Sequence, residues 1–358
     1  MWPASAQSPA PSQLAPAPAL PQRALQFPRD LGSHPDTAIE WWYVTGELLA
    51  QRRRFGFQLT FFRSRVPTTQ TMRSAFAARQ LMFAHAALTD VNSGRLLHDQ
   101  RLARSASQGN VDLATASDTD THLQLRDWSL HHTNGHYLAQ AAGPEFAFTL
   151  TLAETQPLLL QGEQGLSRKG PQASQASYYY SLPQLAVSGQ LTLAGQTQAV
   201  TGRAWLDHEW SQSLLHPDAV GWDWMGINLL DGGALTAFRL RTRSGGALWA
   251  GGSYRAAGQS VAQILAADAV RFTPQRHWTS PATGTRYPVQ WLVEVQHQPS
   301  QPLQRYLVKA VIDNQELDSR ASTGAIYWEG LSELWTVDGQ LLGRGYLEMT
   351  GYASPLIL

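Results

Sequence analysis

Cysteine is absent from this chain of 358 residues, which removes disulfides, thiolate metal sites and cysteine nucleophiles at once. It also fits an oxidising compartment, where stray thiols are a liability. Lysine is nearly absent. Lys169 and Lys309 are the only two, and neither stands in an aromatic cluster of the sequence, so Schiff-base chemistry has few places to occur. Charge of either sign is sparse: charged residues make up 15% of the chain, and 27 basic residues balance 27 acidic ones. A nucleic-acid partner wants a basic field, so none is expected, and nothing steers the chain to an anionic membrane. No apolar run reaches the length of a membrane-spanning helix. Sustained helical periodicity is also missing, and residues 71–81 come nearest to it. Neither Gly-x-Ser-x-Gly nor a Walker motif occurs, so hydrolases and nucleotide binders lose their usual anchors.

What remains is a pattern of short strands. Residues 1–24 are Pro, Ala, Gln and Ser with few large apolar side chains, and are expected to be disordered. They lack the basic start and apolar stretch of a signal peptide. The expectation is that such a signal has been removed and that the protein is periplasmic or secreted. From Phe27 onward, Val, Thr, Trp, Tyr and Phe alternate between Gly- and Asn-rich turns, which predicts antiparallel barrels. Residues 39–46 and 54–62 should pair as a hairpin, and Asn134-Gly135 marks another. Strands are expected at 111–115, 178–180, 190–193 and 199–210, with an exposed loop over 161–177. The second half repeats the style of the first, with a tryptophan-rich strand opening each (Trp41/Trp42, then Trp222/Trp224). The expected division is 25–212 and 213–358, one barrel each.

One stretch concentrates the candidate chemistry: Arg203-Ala204-Trp205-Leu206-Asp207-His208-Glu209-Trp210. On a strand, side chains alternate faces. Arg203, Trp205, Asp207 and Glu209 share one face; Ala204, Leu206, His208 and Trp210 share the other. Two carboxyls about 7 Å apart in a dry site cannot both ionise freely, so one stays protonated. A neutral acid at pH 7 is what proton donation to an unactivated double bond requires, and neighbouring indoles would face a developing cation. The competing reading pairs Asp207 and Glu209 with Arg203 and other arginines as a structural lock. Glu40 is read as salt-bridged to an arginine, with site lining as the alternative. His208 and His216 match no zinc spacing, so no metal is expected.

Taken together, Phe27-Pro28-Arg29-Asp30 with Glu40-Trp41-Trp42-Tyr43, Trp205-x-Asp207-His208-Glu209-Trp210 with Trp222-Asp223-Trp224, Tyr327-x-Glu329-Gly330, and Gly345-Tyr346-Leu347-Glu348 resemble the carotenoid 1,2-hydratase (hydroxyneurosporene synthase) and AttH-type family of lipocalin-like proteins. The similarity runs from Phe27 to Tyr352, and it includes members described as predicted secreted hydrolases. It implies two packed lipocalin-like β-barrels and, for the hydratase branch, addition of water to a terminal double bond without a cofactor. The aspartate of the hydratases' Tyr-x-Asp-His/Asn motif falls on Asp207. Their preceding tyrosine falls on Trp205, an indole in place of a phenol, and an upstream aromatic falls near Tyr180. The resulting expectation is a cofactor-free hydratase acting on an isoprenoid or carotenoid-type alkene. Asp207 would be the acid, and Glu209, His208 or Tyr180 would orient it or the water. Trp205, Trp210, Trp222, Trp224, Trp42 and Tyr43 would hold substrate. The alternatives are a periplasmic carrier of a lipid or other apolar ligand and, more weakly, a secreted hydrolase. A monomer is expected, with peripheral membrane or ABC-transporter association left open.

Overall fold

The computed structural model describes residues 19–74, 77–105, 113–213, 215–297, 300 and 302–356. Most of the expected disordered segment (residues 1–18) and positions 111–112 of one expected strand lie outside them. Among the described residues there is no α-helix; the helical turns are 3₁₀, at Arg29–Leu31 and Pro67–Thr69. Residues 80–81, the end of the segment nearest to helical periodicity, begin a strand.

Two antiparallel sheets, of 13 and 10 strands, account for the chain. The first contains β1 (Ile39–Ala50), β2 (Arg53–Arg65), β3 (Gln80–Asp90), β4 (Arg95–Ser105), β5 (Ala114–Ala116), β6 (His122–Leu125), β7 (Trp128–Thr133), β8 (His136–Ala142), β9 (Phe146–Ala153), β10 (Leu159–Leu160), β11 (Leu166–Arg168), β12 (Ala176–Leu193) and β13 (Gln196–Ser211). The second contains β14 (Ala219–Leu229), β15 (Ala234–Thr242), β16 (Ala247–Arg255), β17 (Gln263–Leu265), β18 (Val270–Thr279), β19 (Arg286–Val295), β20 (Gln304–Ala310), β21 (Glu316–Ser319), β22 (Ala325–Thr336) and β23 (Leu341–Met349). Each sheet curls on itself, bringing β4 to β5 in the first and β16 to β18 in the second. The architecture is all-β and two-barrelled, as expected.

Alternation decides which side chains fill each barrel. In β1, Trp42, Val44 and Leu48 enter the first core, whereas Trp41 and Tyr43 face the seam between the sheets. In β13, Ala204, Leu206 and Trp210 point inward and Trp205 points to the seam. Burying each such large apolar side chain contributes about 1.5–3 kcal/mol. Turns fall where positive φ is cheap: Asn134 and Gly135, at φ 52° and 74°, join β7 to β8.

Three departures from the sequence pattern have physical causes. β4 was not foreseen, because its polar residues hide the alternation. The strands expected at 178–180 and 190–193 form one strand, β12, because Pro183 and Gln184 sit in a bulge between Leu182 and Leu185. A bulge removes the ladder position that proline cannot occupy. Gln184 then bolts the sheets together: its N–H donates to Asn228 Oδ1 at 2.7 Å, and its amide donates to the carbonyls of Leu229 and Gly233. Finally, the expected exposed loop 161–177 is largely folded inward; Gln161, Ser167, Lys169 and Gln175 are buried. The short strands β10 and β11 pair with β12 to hold it there. Residues 19–24 lack regular structure but are held too, with Arg23 paired to Asp30 at 2.8 Å.

Candidate active site

The outer faces of the two sheets oppose one another, and register assembles the wall of each. In the first sheet Ser181, Asp207, Tyr43, Thr60 and His85 are successive cross-strand partners. The adjoining row is Tyr179, Glu209, Trp41, Phe62 and Phe83. In the second sheet Phe238, Trp224, Glu348 and Glu329 form one row. Cross-strand partners share a face, so both rows of acids and aromatics look into the same space. That space is a cavity of about 320 Å³, mostly apolar and aromatic in lining. Gly226 makes room for its wall, since a Cβ there would stand 2.5 Å from the Trp224 ring and 3.1 Å from Trp205.

Asp207 is buried at this wall. Its Oδ1 accepts from Ser181 Oγ at 2.5 Å and Trp205 Nε1 at 2.7 Å, and its Oδ2 accepts from the Tyr179 hydroxyl at 2.8 Å. It makes no ion pair among the described residues. Arg203, the arginine considered as its partner, is exposed and reaches the Gln184 carbonyl instead. Burial pushes the Asp207 carboxyl up to about 7, against its three hydrogen bonds and with help from the Glu209 charge. Oδ1 already takes two donors, so the proton belongs on Oδ2, the oxygen with capacity left.

Glu209 is paired, but with a lysine. Lys169 Nζ lies 2.9 Å from its Oε1, and Ser177 also donates to that oxygen. The ammonium sits 4.5 Å from the Phe238 ring centre and 4.7 Å from that of Tyr179. Lys169 thus stands in an aromatic cluster that its sequence neighbours do not reveal.

The opposite wall carries two acids that the strand argument passed over. Glu329 and Glu348 are direct cross-strand partners. Burial pushes Glu348 up to about 7; a hydrogen bond from the Trp222 indole opposes this, and the Asp207 and Glu209 charges add to it. Burial, then the Glu348 charge, raises Glu329 well above the ordinary carboxylate range. Neither Glu329 Oε1 nor the Tyr43 hydroxyl makes a hydrogen bond of ordinary geometry among the described residues, but the hydroxyl lies near enough to the Glu329 carboxyl to oppose its rise. The signal for both acids is a glutamate directly after large apolar residues within a strand, Tyr327-Trp328-Glu329 and Tyr346-Leu347-Glu348.

The other nominated residues point away from this cavity. His208, Tyr180, Trp42 and Trp210 lie on the inward face of the first barrel. His208 Nε2–H donates to Glu40 Oε1 at 2.9 Å, its Nδ1 accepts from Tyr180 at 3.0 Å, and Trp42 stacks on its ring. Burial lowers the His208 pKa to about 4, so the ring is neutral. Neither His208 nor Tyr180 can orient Asp207, because strand alternation places them on the opposite side of the sheet. Glu40 is held by Arg63 Nε at 2.7 Å, His34 Nδ1 at 2.7 Å and Ser33 Oγ at 3.0 Å. Burial alone would raise its pKa, but bonds from His208 and His34 and the Arg63 charge hold it below the usual range. His34, Glu40 and His208 could converge on an ion. Their ligand atoms are already engaged, however, and an ion would have to displace the Arg63 guanidinium. Trp205 holds Asp207, while Trp222, Trp224 and Tyr43 line the cavity.

The raised acids fix the sign of their own contribution to the pH dependence of stability. At these acids the folded chain keeps protons between roughly pH 4 and 7 that the unfolded chain has lost, so their contribution falls as pH rises, whereas His208 and His85, with pKa values lowered to about 4 and about 3, act in the opposite sense below about pH 6.5. For Asp207 alone, a rise from 3.8 to about 7 at 1.36 kcal/mol per unit corresponds to about 4 kcal/mol. Asp207→Asn should flatten this fall, which urea unfolding between pH 5 and 9 would measure. Parallel curves for the two proteins would show that Asp207 is already ionised in the fold.

Residues 18–352 match the sequence profile of the family described as AttH-like. No curated protein matches the chain. Among solved structures, an AttH candidate from Nitrosomonas europaea is 45% identical, with a TM-score of 0.84 over 94% of this chain and 99% of that one. Kievitone hydratase from Nectria haematococca is 13% identical, with a TM-score of 0.69 over 92% and 94%. CghA bound to Sch210972 is 12% identical, with a TM-score of 0.51 over 90% and 89%. The last two are likenesses of fold.

Proposed function

The chain belongs to the AttH-like family, and from that premise and the geometry of its cavity we propose that it is a cofactor-independent hydratase of an apolar alkene. The observation that carries this reading is Asp207: a dry carboxyl without a cationic partner, at the wall of an aromatic cavity. In the forward direction Asp207 Oδ2–H gives its proton to one alkene carbon and becomes a carboxylate. The adjacent carbon becomes cationic between aromatic faces, where Trp222 and Trp224 stabilise it. Water adds to that carbon, and the Glu348 carboxylate takes the surplus proton. The sum is H and OH across the double bond, with one proton moved between carboxyls and returned through solvent. Trp205 donates a hydrogen bond but cannot relay a proton, so Asp207 is recharged from the cavity side.

At about 320 Å³ the cavity lies at the low end of ligand pockets. It supports a small isoprenoid, or the end of a longer chain such as a carotenoid, rather than a whole carotenoid enclosed. Hydration is also the reaction in the name of one fold relative. Incubating the protein with a panel of acyclic terpenoid alkenes in ¹⁸O-water tests the reading, and label in a product alcohol is the expected result. The mostly apolar wall also suits a carrier. An apolar ligand retained unchanged, with no label incorporated across the panel, would favour that second reading.

A further inference from the structure

We propose that the cavity between the barrels is a receptor for an organic cation, an alkylammonium ion with small apolar substituents, held against aromatic faces and neutralised by Glu329 and Glu348. The inference deepens the hydratase reading and rests on it for the identity of the site, a carbocation being the transient form of the same charge.

The cavity already shows the arrangement once. The Lys169 ammonium lies over Phe238 and Tyr179 with Glu209 as counter-ion. Elsewhere the cavity repeats the aromatic and acidic parts without the cation: Trp222 and Trp224 of the second sheet and Tyr43 of the first lie about the Glu329–Glu348 pair. Glu329 is 3% exposed, and its Oε1 makes no hydrogen bond of ordinary geometry among the described residues, although the Tyr43 hydroxyl stands near the carboxyl. Buried polar atoms in native proteins are normally satisfied. Two carboxyls that meet no cation at an aromatic cavity, Glu329 buried and Glu348 half-buried, are complementary to a ligand that brings one.

The surrounding groups decide the pH dependence. From the first barrel, burial lowers His85 to about 3, so it stays neutral. Burial raises the phenols of Tyr43, Tyr179, Tyr327 and Tyr346, so these stay protonated. Arg63 and Lys169 are committed to Glu40 and Glu209. Asp207, Glu329 and Glu348 are left to ionise, and a bound cation favours their charged forms. Cation affinity therefore rises with pH through neutrality, and binding at pH 7 releases protons.

Calorimetry with choline and its neutral carbon isostere, 3,3-dimethyl-1-butanol, tests this on wild type, Glu329→Gln and Glu348→Gln. The expected result is about tenfold tighter binding of choline at pH 8. The preference should shrink at pH 6, heats should depend on buffer ionisation, and both substitutions should abolish the preference. Equal affinities, no choline binding, or a preference that survives both substitutions would overturn the proposal. At pH 6, below the Glu348 pKa of about 7, each substitution replaces a protonated acid with an isosteric amide, so urea midpoints at that pH at or above wild type should confirm folded protein. Alkene turnover without a choline preference would sink this inference alone. A choline preference without turnover would leave it standing and sink the hydratase reading.

Discussion

Asp207→Asn lowers turnover of any alkene that the wild type hydrates by about 10²–10⁴-fold, the usual worth of a positioned general acid, with little change in KM. The amide keeps the shape of the site. Its oxygen still accepts from Ser181 and Trp205, and its nitrogen faces the Tyr179 hydroxyl, which can turn to accept while remaining within reach of Trp224 Nε1 at 3.2 Å. What the amide lacks is a proton to give. Wild-type activity should fall as pH rises through about 7, because the acid is then lost, and this limb should vanish from any residual activity of the variant. Initial rates by product chromatography between pH 5 and 9 provide both readouts. Equal turnover by the two proteins would remove Asp207 from the mechanism and leave the cavity a binding site.

Arg63→Met destabilises the fold by about 3–5 kcal/mol, the cost of removing one partner of a buried ion pair. Arg63 is 2% exposed, and its guanidinium serves Glu40 Oε2, Gln80 Oε1, the His34 carbonyl and both oxygens of Thr37. Methionine fills much of the volume but leaves the Glu40 charge without its cation and the carbonyls without donors. Adding Glu40→Gln should recover part of the loss, since it removes the charge left uncompensated. Urea unfolding at pH 7 measures both changes, and a loss below about 1 kcal/mol would mean that the network is already open to water. Glu40 and Arg63 also border the cavity, so turnover by the folded Arg63→Met fraction shows whether the network shapes that end of the site as well as the fold.

Three acids beside tryptophans show where the sequence stops being informative. Glu40 and Asp223 adjoin an indole in the chain, and Asp207 stands two residues after one, on the same strand face. Asp223 is tied to Arg239 at 2.7 Å and Arg241 at 3.2 Å, Glu40 to Arg63, and Asp207 to no cation. The strand period alone assigned Asp207 and Glu209 to one face, and His208 and Trp210 to the other. It therefore already separated His208 from Asp207, although His208 and Tyr180 had been nominated to serve it. Glu329 and Glu348 lay within quoted motifs, but nothing in either strand says that the two are cross-strand partners facing Asp207.

The sequence by itself determined what depends on neighbours along the chain. Strand alternation, turn positions, the all-β class and the acidic-aromatic face of β13 all follow from backbone geometry and side-chain size. Tertiary structure alone decided that the cavity lies between the barrels, that Lys169 answers Glu209, and that Asp207 is raised to about 7. Those outcomes depend on distances between residues remote in sequence and on how completely packing excludes water. Coulomb attraction and desolvation act through space, and the order of residues along a strand does not encode them.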